Sequence, residues 1–200
     1  MDAPLAWSRL EAVLPPSVLA DLRPGASDAA LDAAEHAIGA ELPAEARVAY
    51  ALHDGQRGAA PGVVIGLRLL PIAEVVAAWS LWREIVETSP DIGEAPSRAV
   101  PEGVVRPLYV DLGWLPLVDD GAGNHVALDL APGPLGVRGQ VITFGSDEPV
   151  RHRLAGSLPD LLLWLADAYG AGRVVQAGDD VLLSDGRDVF RAAADLSRDL

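Results

Sequence analysis

Between Trp114 and Phe144 three short apolar stretches are separated by two turn-forming segments, and few folds accept such a block. The first stretch is Trp114-Leu115-Pro116-Leu117-Val118, and the dense turn Asp119-Asp120-Gly121-Ala122-Gly123-Asn124 follows it. From His125 to Leu130 the residues alternate with a period of two. This puts Val126, Leu128 and Leu130 on one face and His125, Ala127 and Asp129 on the other. A Pro/Gly-rich turn from Ala131 to Gly139 then leads to Gln140-Val141-Ile142-Thr143-Phe144, and a further short strand is expected from Val150 to Leu154. Strands at this spacing favour an antiparallel meander over βαβ crossovers.

Helical patterns flank the block. Trp7, Leu10 and Leu14 recur at helical spacing until Pro15-Pro16 stops them. Ser27 or Asp28 caps a second helix with the stripe Leu31, Ala34 and Ile38, ended by Gly39. Leu42-Pro43 opens a third, for which Val48 and Leu52 are expected to supply the inner face before Gly55 stops it. Val63 to Leu70 reads as a β-like run. After Pro71 comes a helix with Ile72, Val75, Trp79, Trp82 and Val86 on or near one face, and Thr88 to Gly103 reads as a surface loop. After the strands, Ser157 and Asp160 resemble a capping box opening a helix with the stripe Leu158, Leu161, Leu162, Leu165 and Tyr169. In the tail, Val174-Val175 and Val181-Leu182-Leu183 suit a short strand pair, and Val189, Phe190, Ala193 and Leu196 a last amphipathic helix. Helices, a sheet and a closing helix together give an α+β domain.

Composition removes whole reaction classes. All fifteen basic residues are arginine, so no lysine is present to cradle a phosphate or form a Schiff base. With no cysteine there is neither a thiol nucleophile nor a cysteine-ligated metal, and a reducing compartment, the cytoplasm, is expected. The opening Met1-Asp2-Ala3-Pro4-Leu5-Ala6-Trp7 carries no secretory pattern, and no apolar run approaches membrane-spanning length. The net charge of −14 disfavours nucleic acid and anionic membranes as partners. It would steer a basic protein partner instead, although acidic surfaces also serve solubility alone.

The middle block resembles the core signature of the SUKH superfamily. The resemblance rests on Trp114-Leu115-Pro116-Leu117, Asp119 to Asn124, Ala127-Leu128-Asp129-Leu130-Ala131-Pro132 and Gly139-Gln140-Val141-Ile142. Glu35 with Ile38-Gly39 and Leu42-Pro43 is similar to the helix–LP–helix entry of that superfamily, and Tyr50 to Gly55 to its helix-terminating Asp-Gly element. The resemblance runs from about Gly25 to Gly170. It implies a compact Smi/Knr-like α+β domain over residues 1–172, with a mostly antiparallel or mixed sheet and helices packed on it. Residues 173–200 are expected to be a C-terminal appendage. The resemblance further implies no cofactor and no catalysis. Bacterial members are immunity proteins that neutralise toxins, often nucleases or deaminases, and fungal members are scaffolds in cell-wall signalling.

On that footing the expected function is a non-enzymatic, protein-binding immunity protein that covers the active site of a basic toxin domain. A regulatory scaffold is the alternative. Glu35, Asp54, Trp114, Asp119, Asp120 and Asp129 are the residues expected to form the binding face. The turn from Asp119 to Asn124 also reads as a tight hairpin that uses glycine and asparagine for positive φ. Its spacing does not fit a calcium loop, because glycines occupy 121 and 123. A hydrolase built from His53, Asp54, His125 or Asp129 is the remaining reading, and it lacks a visible nucleophile. The five tryptophans read as core, with Trp114 beside the acidic turn the one that would also suit an interface.

Overall fold

The computed structural model describes residues 2–177 and 180–199. Among them lie α1 (Ala3–Glu11), α2 (Pro16–Asp21), α3 (Asp28–Ile38), α4 (Ala44–Leu52), α5 (Ile72–Thr88) and α6 (Pro90–Glu94). These are followed by β1 (Arg98–Val100), β2 (Trp114–Asp119), β3 (Asn124–Asp129), β4 (Gln140–Gly145), β5 (Val150–Ala155), α7 (Leu158–Gly170), β6 (Val174–Ala177), β7 (Asp180–Leu183) and α8 (Val189–Asp199). The main sheet has the order β1-β5-β4-β3-β2, and β6 and β7 form a separate antiparallel pair. The expected meander is present: β2 to β5 pair antiparallel in sequence, and β1 adds a parallel edge to β5.

Both faces of this sheet are covered. Leu115, Leu117, Val126, Leu128, Val141 and Leu154 face the larger core, which α1, α3, α4, α7 and α8 complete. Trp114, Ala127, Ile142 and Phe144 face a smaller core closed by Trp82 of α5 with Val105 and Val110. Each residue of β3 and β4 is therefore buried, including the polar ones, and that fact governs the candidate site.

The local signals hold where they are short-range. Ser27 Oγ accepts the Ala30 N–H at 3.2 Å, and Gly39 ends α3 at φ +77°. Ser157 and Asp160 form the expected box, the hydroxyl accepting from the Asp160 amide at 3.2 Å and donating to its carboxylate at 2.8 Å. Pro16 does more than stop α1; it opens α2, because its fixed φ suits a first helical turn. The expected inner face of α4 is corrected: Val48 and Leu52 are exposed, and Ala46, Ala49 and Tyr50 point inward. Alanines are needed there because the Trp7 indole of α1 reaches across to donate to the Ala49 carbonyl at 3.0 Å.

Two other segments depart from expectation. Val63–Leu70 is an irregular loop with isolated bridges, not a strand. The loop expected over Thr88 to Gly103 contains α6 and the short strand β1. The tail docks on the body: Leu183, Val189, Ala192, Ala193 and Leu196 join the larger core, and α8 packs on β5. Among the described residues no helix is long and apolar enough to cross a membrane.

Candidate functional site

The β2–β3 hairpin holds Asp119 and Asp120 side by side at its turn. Asp120 builds the turn: its carboxylate accepts from the amides of Ala122 (2.7 Å) and Asn124 (3.0 Å) and from Asn124 Nδ2 (2.7 Å). Burial alone would raise the Asp120 pKa, but the bonds from Asn124 and Ala122 hold it below the ordinary carboxylate range. Gly121 and Gly123 take φ +78° and +88°, as the turn reading requires. Asn124 begins β3 and accepts the Asp147 amide at 2.9 Å. Asp119 accepts one backbone bond, from Gly121, and its side chain is 36% exposed, so it keeps free acceptor capacity.

The face opposite the larger core explains the buried polar residues. His125 Nε2 accepts the Trp82 indole N–H at 2.9 Å, and Nδ1 lies 3.2 Å from the Val118 carbonyl. Those two partners fix a neutral ring protonated on Nδ1. At the other end of β3, Asp129 accepts from Gln140 Nε2 (2.8 Å) and the Ala131 amide (2.9 Å). Gln140 also donates to the Val104 carbonyl at 2.9 Å, tying the loop before β2 to the sheet.

Glu35 and Asp54 serve separate junctions. Glu35 accepts the Leu42 amide at 2.9 Å and Arg47 Nη1 at 2.9 Å, so it joins the end of α3 to the start of α4. We expect Glu35→Ala to cost about 1–2 kcal/mol in urea unfolding, while Glu35→Gln, which keeps an acceptor for Leu42, loses less than half of that. Asp54 accepts the Ile72 amide at 2.7 Å and so caps α5 from a distance, with Arg23 at 3.4 Å. A Cβ on Gly55, at φ +64°, would lie 2.6 Å from the backbone of Leu69, Leu70 and Pro71, so this glycine permits the close approach. The adjacent His53 ring contacts the Glu11 carboxylate and the Arg23 carbonyl and sits edge-on to Trp7.

The expected binding face is thus corrected in two places. Trp114 is 1% exposed and Asp129 is fully covered, so neither offers its side chain to a partner in this fold. The physical reason is the cover over that face: Trp82 of α5 closes it at His125, and the loop before β2, with Val105 and Val110 packed inward and Val104 bonded to Gln140, closes it towards Asp129. All five tryptophans are buried.

Sequence reasoning missed a polar hub. Asp21, 4% exposed, accepts from the amides of Gly58 (3.0 Å) and Ala59 (2.9 Å) and from Gln56 Nε2 (3.2 Å). Gln56 in turn accepts the amides of Val63 (2.8 Å) and Leu69 (3.3 Å). It missed Arg151 as well, a buried cation that donates to the carbonyls of Leu108, Tyr109 and Glu148, lies over the Tyr109 ring, and is pushed down to about 10 by burial. No short motif announces such residues, since most of their partners, such as Gly58 and Ala59 for Asp21 and Leu108 and Tyr109 for Arg151, lie about forty positions away.

Two of the buried titrating groups, His125 and Asp129, act on stability in opposite senses. Burial lowers the His125 pKa, so its contribution is complete above the unfolded value near 6.5 and is lost as pH falls below it. Burial raises Asp129 to about 6, so folding is favoured on the acid side and stability declines as pH climbs from about 4 through 6. We expect NMR titration to place the His125 imidazole below the ordinary histidine value with Nδ1 protonated. The Asp129 carboxyl is expected well above an exposed aspartate.

Geometry and burial together define a small α+β domain that holds its polar residues by backbone and side-chain bonds and presents acids outward. The chain matches the model of the SMI1 / KNR4 family (SUKH-1) over residues 25–164 and belongs to that family. It is 36% identical over 167 residues to the cell wall biosynthesis/cell cycle regulator smi1 of Schizosaccharomyces pombe, a match covering 78% of this chain and 33% of that protein. It is 30% identical over 193 residues to the cell wall assembly regulator SMI1 of Saccharomyces cerevisiae, covering 79% and 38%. To a glucan synthesis regulatory protein of Neurospora crassa it is 29% identical over 191 residues, covering 79% and 36%. The chain therefore spans about a third of the length of these curated relatives.

Proposed function

We propose that this chain is a non-catalytic protein-binding domain of regulatory type that meets its partner through its acidic outer surface in the cytoplasm. The observation that carries this reading is the commitment of its reactive side chains to structure. His125 is bonded to Trp82 and Val118, Asp129 to Gln140 and Ala131, Asp54 to the start of α5, and His53 contacts Glu11. A hydrolase assembled from these groups would have to break the bonds that hold the fold. The names of the relatives, regulators of cell wall assembly and glucan synthesis, support a regulatory process.

Toxin neutralisation is the second reading, and the net charge of −14 favours it, because a basic nuclease or deaminase domain would complement that surface. Capture of the tagged full chain from its own host at low salt tests both. A stoichiometric signalling or wall-assembly protein supports the regulatory reading, and a basic toxin domain supports neutralisation. Full biological activity of His53→Ala chains is expected, and loss of turnover of a small substrate in them would count against both.

A further inference from the structure

We infer that the groove between α5 and the β2–β3 hairpin is a docking site for a basic amphipathic helix of a protein partner, with Leu81 as the apolar anchor point and Asp119 as the acceptor for an arginine or lysine. This deepens the protein-binding reading above and rests on it.

The groove has a volume of about 380 Å³, with Leu70, Ala77, Ala78 and Leu81 forming its apolar lining and Glu74 and Asp119 among its charged residues. Leu81 is 63% exposed, and one turn further on Ile85 is 38% exposed. On a helix whose inward residues Val75, Trp79 and Trp82 are already buried, this is a second apolar stripe, facing out. The alanines at 77 and 78 leave room beside it for an incoming side chain. At the hairpin end the mouth is open, since a Cβ on Gly121 would meet nothing within 4 Å.

The charges select the occupant. The one cation lining the groove, Arg68, is consumed internally: it is paired with both carboxylate oxygens of Glu74 and reaches the Gln56 carbonyl at 3.4 Å. That pairing holds the Glu74 carboxyl below the usual range. Asp119 feels Arg68 only through space, without a direct bond, and the neighbouring His125 ring is neutral and spends its Nδ1 proton on Val118, so two carboxylates share one guanidinium. An apolar stripe bordered by two carboxylates and one guanidinium carries an excess of negative charge, and it fits a segment with leucine-like residues on one side and arginine or lysine beside them. A second copy of this chain fits less well, since its matching surface would bring the same excess of acids, Glu74 and Asp119, rather than free cations.

Strand addition does not compete for the partner. The outer edge of β2 is occupied by the Leu69–Leu70 segment, with a bridge from Leu69 to Val118 and the Leu70 amide bonded to the Leu117 carbonyl at 2.8 Å. At the other edge β1 is three residues long and runs into Pro101. For the main sheet, side-chain docking on a helical face is therefore the mode left open beside the groove.

The test is fluorescence anisotropy of the full chain with a labelled synthetic amphipathic helix bearing leucines on one face and arginines along its flank. Wild type is expected to bind it, and Leu81→Asp, a change at an exposed position, to weaken binding by about tenfold or more. Asp119→Asn is expected to weaken it by about threefold at low salt and to flatten its salt dependence. Leu135→Asp, at another exposed leucine, is the control and leaves binding unchanged. Amide shifts confined to α5 and the hairpin support the site. Absence of binding, equal binding by Leu81→Asp, shifts elsewhere, or a self-dimer that Leu81→Asp dissolves would each overturn it. If a captured cellular partner is retained equally by Leu81→Asp, the groove is wrong while the protein-binding function stands; if no partner is captured, that function itself fails.

Discussion

Trp82→Ala is expected to destabilise the chain by about 3–5 kcal/mol, a fall in Tm of roughly 6–20 °C for a domain of this size. Trp82 closes the smaller core, packing near Tyr109, His125 and Phe144 with ring centroids 5.5 to 6.3 Å away. Its removal leaves a cavity and also strips His125 Nε2 of its donor, so a packing loss and an unsatisfied buried acceptor fall together. Trp82→Phe separates the two effects. It keeps most of the ring but not the N–H, and about 1–2 kcal/mol is expected to go. The His125 pKa then rises, because the indole N–H that favoured the neutral ring is gone. Hydrogen exchange supplies a local readout: amides from Asp119 to Asn124 should open faster in both variants, since His125 anchors the hairpin to α5.

Gln56→Ala is the second large effect, with an expected loss of about 3–5 kcal/mol from a single buried amide. Its carboxamide satisfies the Val63 and Leu69 N–H groups and the buried Asp21 carboxylate together. Without it two backbone donors are orphaned and a buried acid loses one of its three donors. Urea unfolding measures the loss. Limited proteolysis should meanwhile cut between Gly58 and Gly66 in the variant and spare the wild type. Equal stability of the two chains would show that the loop does not depend on this hub.

The same residues explain what the sequence made legible. The β2–β3–β4 meander was readable because its turns are local: Asp120, Gly121 and Gly123 carry the hairpin geometry within six residues. The helix caps at Ser27 and Ser157 were readable for the same reason. Val63–Leu70 misled because an apolar run bounded by Gly62 and Pro71 looks like a strand. The side chain that takes its amides, Gln56, lies upstream and carries no mark of that role. The strand β1 was invisible because three residues find their pairing only through β5, some fifty positions later. In the site, alternation along β3 correctly set His125 and Asp129 on a common face. It could not show that Trp82 of α5 and the loop before β2 cover that face, and Asp129 and Trp114, expected at a binding face, are buried beneath them. Asp119 was legible as an acid at a turn; the Leu81 groove beside it was not, because nothing in a helical stripe says which of two apolar faces is turned outward.

The most direct test of the central claim is quantitative mass spectrometry of proteins captured on the full chain in its own host, at low and at raised salt. A stoichiometric protein partner is expected whose recovery falls as salt rises and is unchanged by His53→Ala. No stoichiometric partner at either salt, together with a small-molecule turnover that His53→Ala abolishes, would contradict the protein-binding reading.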